Sequence, residues 1–381
     1  MKPTIHLALT HDWELRGDGS GDIEQIQFAP LRRLLEIYKK FGARTTFMPD
    51  VMQQIRFRSL EGKHPELKTL AESWDEHVRE AFLQCHDIQL HLHTQWSDAE
   101  YLNGRWVLRG DWSILKYDRD RAASMLAESK EYLENVLHAI DPTYQCVAFR
   151  ASALAAAPSA TLMSLLARLG LQIDVSVTAG VYLNNETLQL DYRQCDETFL
   201  PYYPRMSDAR RISDRREAIV CVPLNHFYGS RGEVTKQNLS LARSHLKERT
   251  SEAIAATSER PRLDSQRSGL GRIYEKLIAP AVKRKYFVSD LSRLNYPLMK
   301  EMLASIRRRA RDSVLSQLPI VITNHPKDIR DWDGIERFVG EVSQADDIEF
   351  MTLAEMAKKL RSGEFQARRG RSADILSAER A

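Results

Sequence analysis

Cysteine is scarce: four in 381 residues, Cys85, Cys146, Cys195 and Cys221, with no C-x-x-C pair among them. Structural zinc clusters and redox dithiols need closer spacing, so neither is expected. Reduced, mostly buried thiols are expected instead, which points to an intracellular protein. No run of about 18 apolar residues exists, so no transmembrane segment is expected. The first ten residues, Met1-Lys-Pro-Thr-Ile-His-Leu-Ala-Leu-Thr10, do not read as a signal peptide. Their apolar stretch is short and carries a histidine. A cytoplasmic location is the expectation. An excess of one charge is missing too: 55 Lys and Arg face 52 Asp and Glu, a net +3. That balance gives no reason to expect a nucleic-acid partner. A nucleic-acid role would rest only on Arg205–Arg216, with five arginines, which reads as a solvated loop.

What is present is ample core material, with 43% hydrophobic and 28% charged residues. Short β-rich runs recur along the chain. They are Ile5–Thr10, Ala43–Met48, Ile88–Leu92, Cys146–Phe149, Leu171–Val177, Ala218–Leu224 and Pro319–Thr323, with Ile348–Thr352 as a further strand. Helical periodicity lies between them, as in Leu31–Phe41, where residues 31, 34, 35, 38 and 41 are apolar. Ala122–Leu137 and Thr161–Leu169 read alike. Strands alternating with helices imply parallel pairing and right-handed crossovers. Seven or eight such units favour a closed α/β barrel, with a doubly wound open sheet as the alternative. One domain over residues 1–360 is expected.

Three regions break the rhythm. Val51–His86 is a long insertion containing Trp74. Residues 227–318 form an insertion before the last barrel strand, expected to be helical over Gln237–Thr257, Leu270–Tyr286 and Tyr296–Leu315. Residues 361–381 are polar and aperiodic and are expected to be a disordered tail.

Nearly every strand ends in an ionisable residue, and C-terminal strand ends build the active face of an α/β barrel. Four motifs sit there. Ile88-Gln-Leu-His91-Leu-His93-Thr-Gln95-Trp96 places His91 and His93 on one face of a strand, because side chains two apart point the same way. Imidazoles so paired suit a divalent metal, with Gln95 on the same side; two histidines can also be a satisfied polar pair. Thr10-His11-Asp12-Trp13-Glu14 projects Asp12 and Glu14 together. A metal held by two histidines needs a carboxylate, and a second carboxylate can act as base; a loop or capping acid is the plainer reading. Arg150, in Val147-Ala-Phe-Arg150-Ala-Ser152, emerges from an apolar strand and needs a partner. It can orient Asp12, bind a substrate oxygen or form a structural ion pair. His325, in Asn324-His325-Pro326-Lys327, is placed as a general acid, since histidine titrates near neutrality.

As a set these motifs resemble the polysaccharide deacetylase (NodB-homology) superfamily, and within it the WbmS-like branch associated with bacterial surface-polysaccharide gene clusters. The segments carrying the likeness are Leu90-His-Leu-His-Thr-Gln-Trp96, Phe149-Arg-Ala-Ser152, Asp174-Val-Ser-Val177 and Asn324-His-Pro-Lys327. Ser152, Val175 and Asn324 depart from the branch pattern, and the fourth place after His91 is Gln95 where the superfamily has histidine. The resemblance implies a distorted (β/α)7-type barrel and a metal-dependent hydrolase removing an N-acetyl group from a carbohydrate. It implies Asp12 as base, Glu14, His91 and His93 as ligands of a divalent ion such as zinc, His325 as acid, and Arg150 as orienter of Asp12. Gln95, Trp96, Asp174 and Asn324 would contact a lipid- or nucleotide-linked sugar substrate. A catalytically inactive carbohydrate-binding barrel and a glycosidase are the competing readings.

Overall fold

The computed structural model describes residues 3–186, 188–239 and 285–370. Strand β1 (Thr4–Trp13) is the centre of one parallel sheet. It pairs from Thr4 to His11 with a late strand and, at its upper end, with β2 (Thr46–Pro49), which pairs in turn with β3 (Asp87–Ile88). A second parallel sheet starts at β4 (Leu90–Leu92) and continues through β5 (Ala148–Ala151), β6 (Ile173–Asp174) and β7 (Val220–Cys221).

β3 and β4 are one strand interrupted at Gln89. The Gln89 backbone N–H donates to Phe47 O at 2.9 Å, and its side-chain oxygen accepts from the backbone N–H groups of Val147 and Ala148. The side chain thus splices the two sheets where the strand changes partners. A parallel bridge between Asp50 and His91 closes the same seam higher up.

On the far side, the chain beyond β7 bridges Leu224 to Val321 in parallel. Val321 lies in the late strand, β10 (Gln317–Asn324), which pairs with β1 from Thr4 to His11. Hydrogen bonding therefore runs around a ring of seven parallel strand positions, joined at its two weak seams by single bridges. This is the distorted (β/α)7-type barrel expected. The last strand, β11 (Ile348–Phe350), pairs with the lower part of β1, outside that ring.

The helices follow the expected alternation. Helix α1 (Ala29–Phe41) buries Leu31, Leu34, Leu35 and Tyr38, the face that its periodicity predicts, and stops at Gly42 in a left-handed conformation. Helices α4 (Arg119–His138) and α5 (Leu162–Arg168) match their expected ranges closely. Val51–His86 is not an insertion but the crossover itself, built of α2 (Val51–Leu60) and α3 (Pro65–Leu83). Its Trp74 is fully buried against Trp13, with ring centroids 5.4 Å apart.

The 227–318 stretch differs from expectation. It opens with β8 (His226–Gly229), which pairs antiparallel with β9 (Lys285–Val288), so Tyr286 is in a strand and not at a helix end. Residues 231–239 are helical, and α6 (Tyr296–Arg311) agrees with the expected helix. The remainder of the expected helices over Gln237–Thr257 and Leu270–Tyr286 lies outside the described residues. The chain past residue 361 is also corrected as far as Gly370. Phe365 is buried in the core, Tyr202 bridges to Arg368, and Arg368 forms an ion pair with Glu197. Apolar burial and backbone pairing, absent from the periodicity, hold this segment. Residues 371–381 lie outside the described residues.

No described helix is long and apolar enough to cross a membrane. The four thiols are unpaired; Cys146 and Cys221 are buried, Cys195 is half-buried and Cys85 is exposed. The arginine-rich segment expected to be a loop is instead a short β-hairpin, Pro204–Arg205 antiparallel to Asp208–Ile212, in which Arg210 pairs with Asp208 and Arg211 with Asp196.

Candidate metal centre and acid-base site

The C-terminal ends of the barrel strands converge on two adjacent clusters. The first is Glu14, His91 and His93. One donor atom from each lies within 4.8 Å of the others, and all three residues are buried. Glu14 Oε2 lies 2.9 Å from His91 Nε2 and also contacts His93 Nε2. Strand alternation explains the convergence. Glu14 follows the end of β1, while β4 carries His91 and leads directly into His93, on the neighbouring side of the ring.

The surroundings suit a cation. His91 Nδ1 is 3.0 Å from the Arg150 carbonyl oxygen, to which it donates. In the neutral ring that leaves the Nε2 lone pair facing Glu14. His93 Nδ1 is 3.0 Å from Gln95 Nε2, while Gln95 Oε1 is buried without a partner. Exchanging the two amide positions, at the loss of the long 3.4 Å contact to Gly17 O, gives His93 Nδ1–H an acceptor and frees Nε2 for a ligand, the usual outer-layer arrangement of a metal-binding histidine. Burial alone would lower the His91 pKa, but Asp12, Glu14 and Asp50 nearby raise it to about 9. Burial alone would raise that of Glu14; His93, Lys327 and the histidine hydrogen bonds hold it well below the usual carboxylate range. Several buried carboxylates thus draw positive charge to one point, and three of the donors there are types a divalent ion accepts.

The second cluster is built on Asp12. Arg150, fully buried, donates from Nη1 to Asp12 Oδ1 and, at 3.1 Å, to Thr323 Oγ1; its Nε donates to Val175 O at 3.3 Å. Of the three options for this arginine, pairing with Asp12 is the geometry found. Asp12 Oδ2 lies 3.5 Å from His325 Nε2, and His325 Nδ1 lies 2.9 Å from Asp290 Oδ2. His325 is thereby held between two carboxylates. Burial would lower its pKa, but Asp290 and Asp12 raise it above the ordinary histidine value. Asp290 is itself pulled down to about 2: burial opposes the shift, and the His325 charge and hydrogen bond outweigh it.

The four expected substrate contacts are all enclosed by the fold. Trp96 is 1% exposed and packs edge-on against Phe57 and Trp106, so its ring belongs to the core. Gln95 is fully buried and reaches His93 and Gly17 O. Asp174 is fully buried; it accepts from Ser176 Oγ at 2.6 Å, and Ser176 Oγ accepts from the Ala151 backbone N–H at 2.9 Å. It buttresses the seam between β5 and β6. Asn324 points to the helix side of β10. It donates to His11 Nδ1 at 2.9 Å, and His11 Nε2 reaches the Tyr38 hydroxyl at 2.7 Å. The alternation that sends Asp12 inward sends His11 and Asn324 outward.

Residues missing from the sequence reading are Asp50, Asp290, Lys327 and Trp112. Asp50 caps α2 through Gln53 N–H and also accepts the His93 backbone N–H at 3.1 Å. Its place at a strand end was the available signal. Asp290 arrives from the insertion: Ser289 N–H donates to Asn225 O and Thr323 N–H to Ser289 O, wedging this segment between β7's continuation and β10. Nothing local in the sequence marks that wedge. Lys327 stands two residues after His325 and contacts Glu14 Oε1. The partly exposed ring of Trp112 lies 6.4 Å from that of His93. A Cβ on Gly17 would fall 1.8 Å from the Trp112 ring, so that close approach requires glycine.

No protein-family model matches the chain. No curated protein matches it. Among solved structures it is similar to a Mycobacterium smegmatis protein assigned as a polysaccharide deacetylase, at 16% identity and TM-score 0.48, covering 97% of this chain and 94% of that one. It is similar to a Pseudomonas aeruginosa protein of the same assignment at 12% identity and TM-score 0.46, covering 96% and 94%. It is equally similar to the α-amylase AmyC of Thermotoga maritima, at 11% identity and TM-score 0.49, covering 99% and 79%. Deacetylases and an amylase stand together at these values, so the likeness does not choose a reaction, and the chemistry of the site has to be read from its own residues.

Proposed function

We propose that the protein is a metal-dependent hydrolase that removes an N-acetyl or related acyl group from a carbohydrate. The observation that supports it is the juxtaposition of the Glu14, His91 and His93 donors with an arginine-held Asp12 and a carboxylate-held His325. Glu14 Oε2 and the Nε2 atoms of His91 and His93 would hold the ion, and a two-nitrogen, one-oxygen set with an open position suits zinc. Such an ion supplies Lewis acidity toward the acyl carbonyl and makes water a stronger acid.

The chain's own groups do the rest. Arg150 occupies Asp12 Oδ1, which leaves Oδ2 to take the proton of the attacking water. His325 Nε2, beside that oxygen, is the donor to the departing sugar amine. Asp290 on the opposite ring nitrogen orients the imidazole and favours its protonated form. A glycosidase needs two carboxyl groups about 5–9.5 Å apart flanking the scissile bond. Here Asp12 is committed to Arg150 and Glu14 to two histidines and a lysine, which disfavours that reading.

The test is metal content with deacetylation of N-acetylated oligosaccharides. Wild-type protein is expected to bind one divalent ion per chain and to release acetate. His91→Ala is expected to lose both while still folding cooperatively. Full metal stoichiometry in His91→Ala overturns the ligand assignment. Metal-free wild type that binds the sugar supports the non-catalytic barrel.

The Asp290–His325 pair carries a pH signature. The His325 pKa is raised in the folded state, so its stabilisation is complete below the ordinary value near 6.5 and is lost as pH rises through the folded value. Asp290 is depressed, so its share is present above the usual carboxylate value and lost as pH falls toward about 2. Asp290→Asn is expected to move the alkaline limb of the pH–rate profile to lower pH. The stability gap between wild type and variant should narrow as pH rises above 6.5. An unmoved alkaline limb means that His325 is not the group it reports.

A further inference from the structure

Among the described residues Lys327 is the one lysine or arginine that reaches the Glu14 carboxylate. Its side chain is 10% exposed and that of Glu14 is 4% exposed. Nζ contacts Glu14 Oε1 and donates to Leu15 O at 2.9 Å. It is therefore anchored at two points and cannot swing freely between water and the carboxylate. The two Glu14 oxygens are divided: Oε1 belongs to Lys327, and Oε2 faces His91 and His93. Lys327 sits in the short turn Pro326–Asp328 that follows His325, so the strand end that delivers the acid also delivers this clamp.

We propose that Lys327 is a positioning residue that holds Glu14 as a one-oxygen donor and so sets which ions the site accepts. The inference rests on the metal-site reading above. With Oε1 held, the site offers two nitrogens and one oxygen, a low coordination number suited to zinc or cobalt. With Oε1 released, the carboxylate can turn and offer both oxygens. The site would then gain a fourth donor and shift toward manganese and other oxygen-preferring ions, which take higher coordination numbers. Removing a fixed ammonium near the donors also relieves repulsion toward any bound cation, but that acts on all divalent ions alike. The ratio of affinities, not their absolute size, is therefore the informative quantity.

The experiment is titration of chelator-stripped full-length protein with Zn2+ and with Mn2+, for wild type, Lys327→Met and Lys327→Arg. In Lys327→Met the zinc-over-manganese preference is expected to fall by about tenfold or more, since one added oxygen donor favours the harder ion. Lys327→Arg, which retains a donor for Oε1, is expected to stay near wild type. A folded Lys327→Met with an unchanged ratio overturns the proposal. The crystal structure of the zinc-loaded wild type tests it without any variant: Glu14 should bind through one oxygen with Oε1 still on Lys327, and two-oxygen binding overturns it. Wild type that binds the ions with an unaltered ratio in Lys327→Met defeats this inference alone. Wild type that binds neither ion defeats the metal-site reading and the inference together.

Discussion

Asp12→Asn is expected to lower turnover by about two to four decades, the usual contribution of a positioned acid or base. Asparagine keeps the size of the side chain and can still accept from Arg150, but it cannot take a proton from water. Asp12 is not among the three donors that converge on the metal position, so metal content should stay near wild type. The substitution also leaves Arg150 buried without its anion. Some loss of stability is therefore expected, and turnover has to be normalised to folded protein. Glu14→Gln should behave oppositely: weakened metal binding, with its rate partly restored by excess ion. Steady-state kinetics beside metal analysis separates the two. Loss of metal in Asp12→Asn, with normal metal in Glu14→Gln, would exchange the roles of base and ligand and leave the hydrolase reading standing.

Arg150→Met should produce the largest loss of stability, about 3–5 kcal/mol by chemical denaturation, because it strands a buried carboxylate. Methionine fills much of the volume, so the cost reports the charge more than a cavity. Asp12, Thr323 and Val175 O all lose a donor at once. In the double variant Asp12→Asn with Arg150→Met, the two costs should add to less than their sum, since the same ion pair is removed once. Additive costs would show that Arg150 stabilises the barrel through contacts other than Asp12. Arg150→Lys should recover part of the stability but less of the rate. A lysine supplies charge without the guanidinium fork that reaches Asp12 and Thr323 together.

The seven barrel strands and most of the helices were legible in the sequence because they are strongly patterned. Apolar runs of four to eight residues alternate with a 3.6-residue period, and both signals are local. Glu14, His91 and His93 were legible for the same reason: a period of two puts His91 and His93 on one strand face, and strand ends share one side of a barrel. Asn324, expected as a substrate contact from the resemblance alone, lies one residue from Thr323 and so faces His11 and the helices while Thr323 meets Arg150. Trp96 and Gln95 follow His93 into a turn where the alternation no longer applies, and there burial decides.

Other features were beyond sequence because they depend on segments far apart in the chain. Asp290 reaches His325 only because its segment hydrogen-bonds between Asn225 and Thr323. Lys327 meets Glu14 across 313 positions of sequence, a contact that neither residue's neighbours signal. Residues up to Gly370 look like a tail by composition, yet Phe365 finds apolar cover and Arg368 finds Glu197. By itself the sequence determined which residues lie on which strand and which face they share, because periodicity is a property of the local backbone. The tertiary structure decided which of those faces meet, since closing the barrel brings distant strand ends together and burial makes each charge there find a partner.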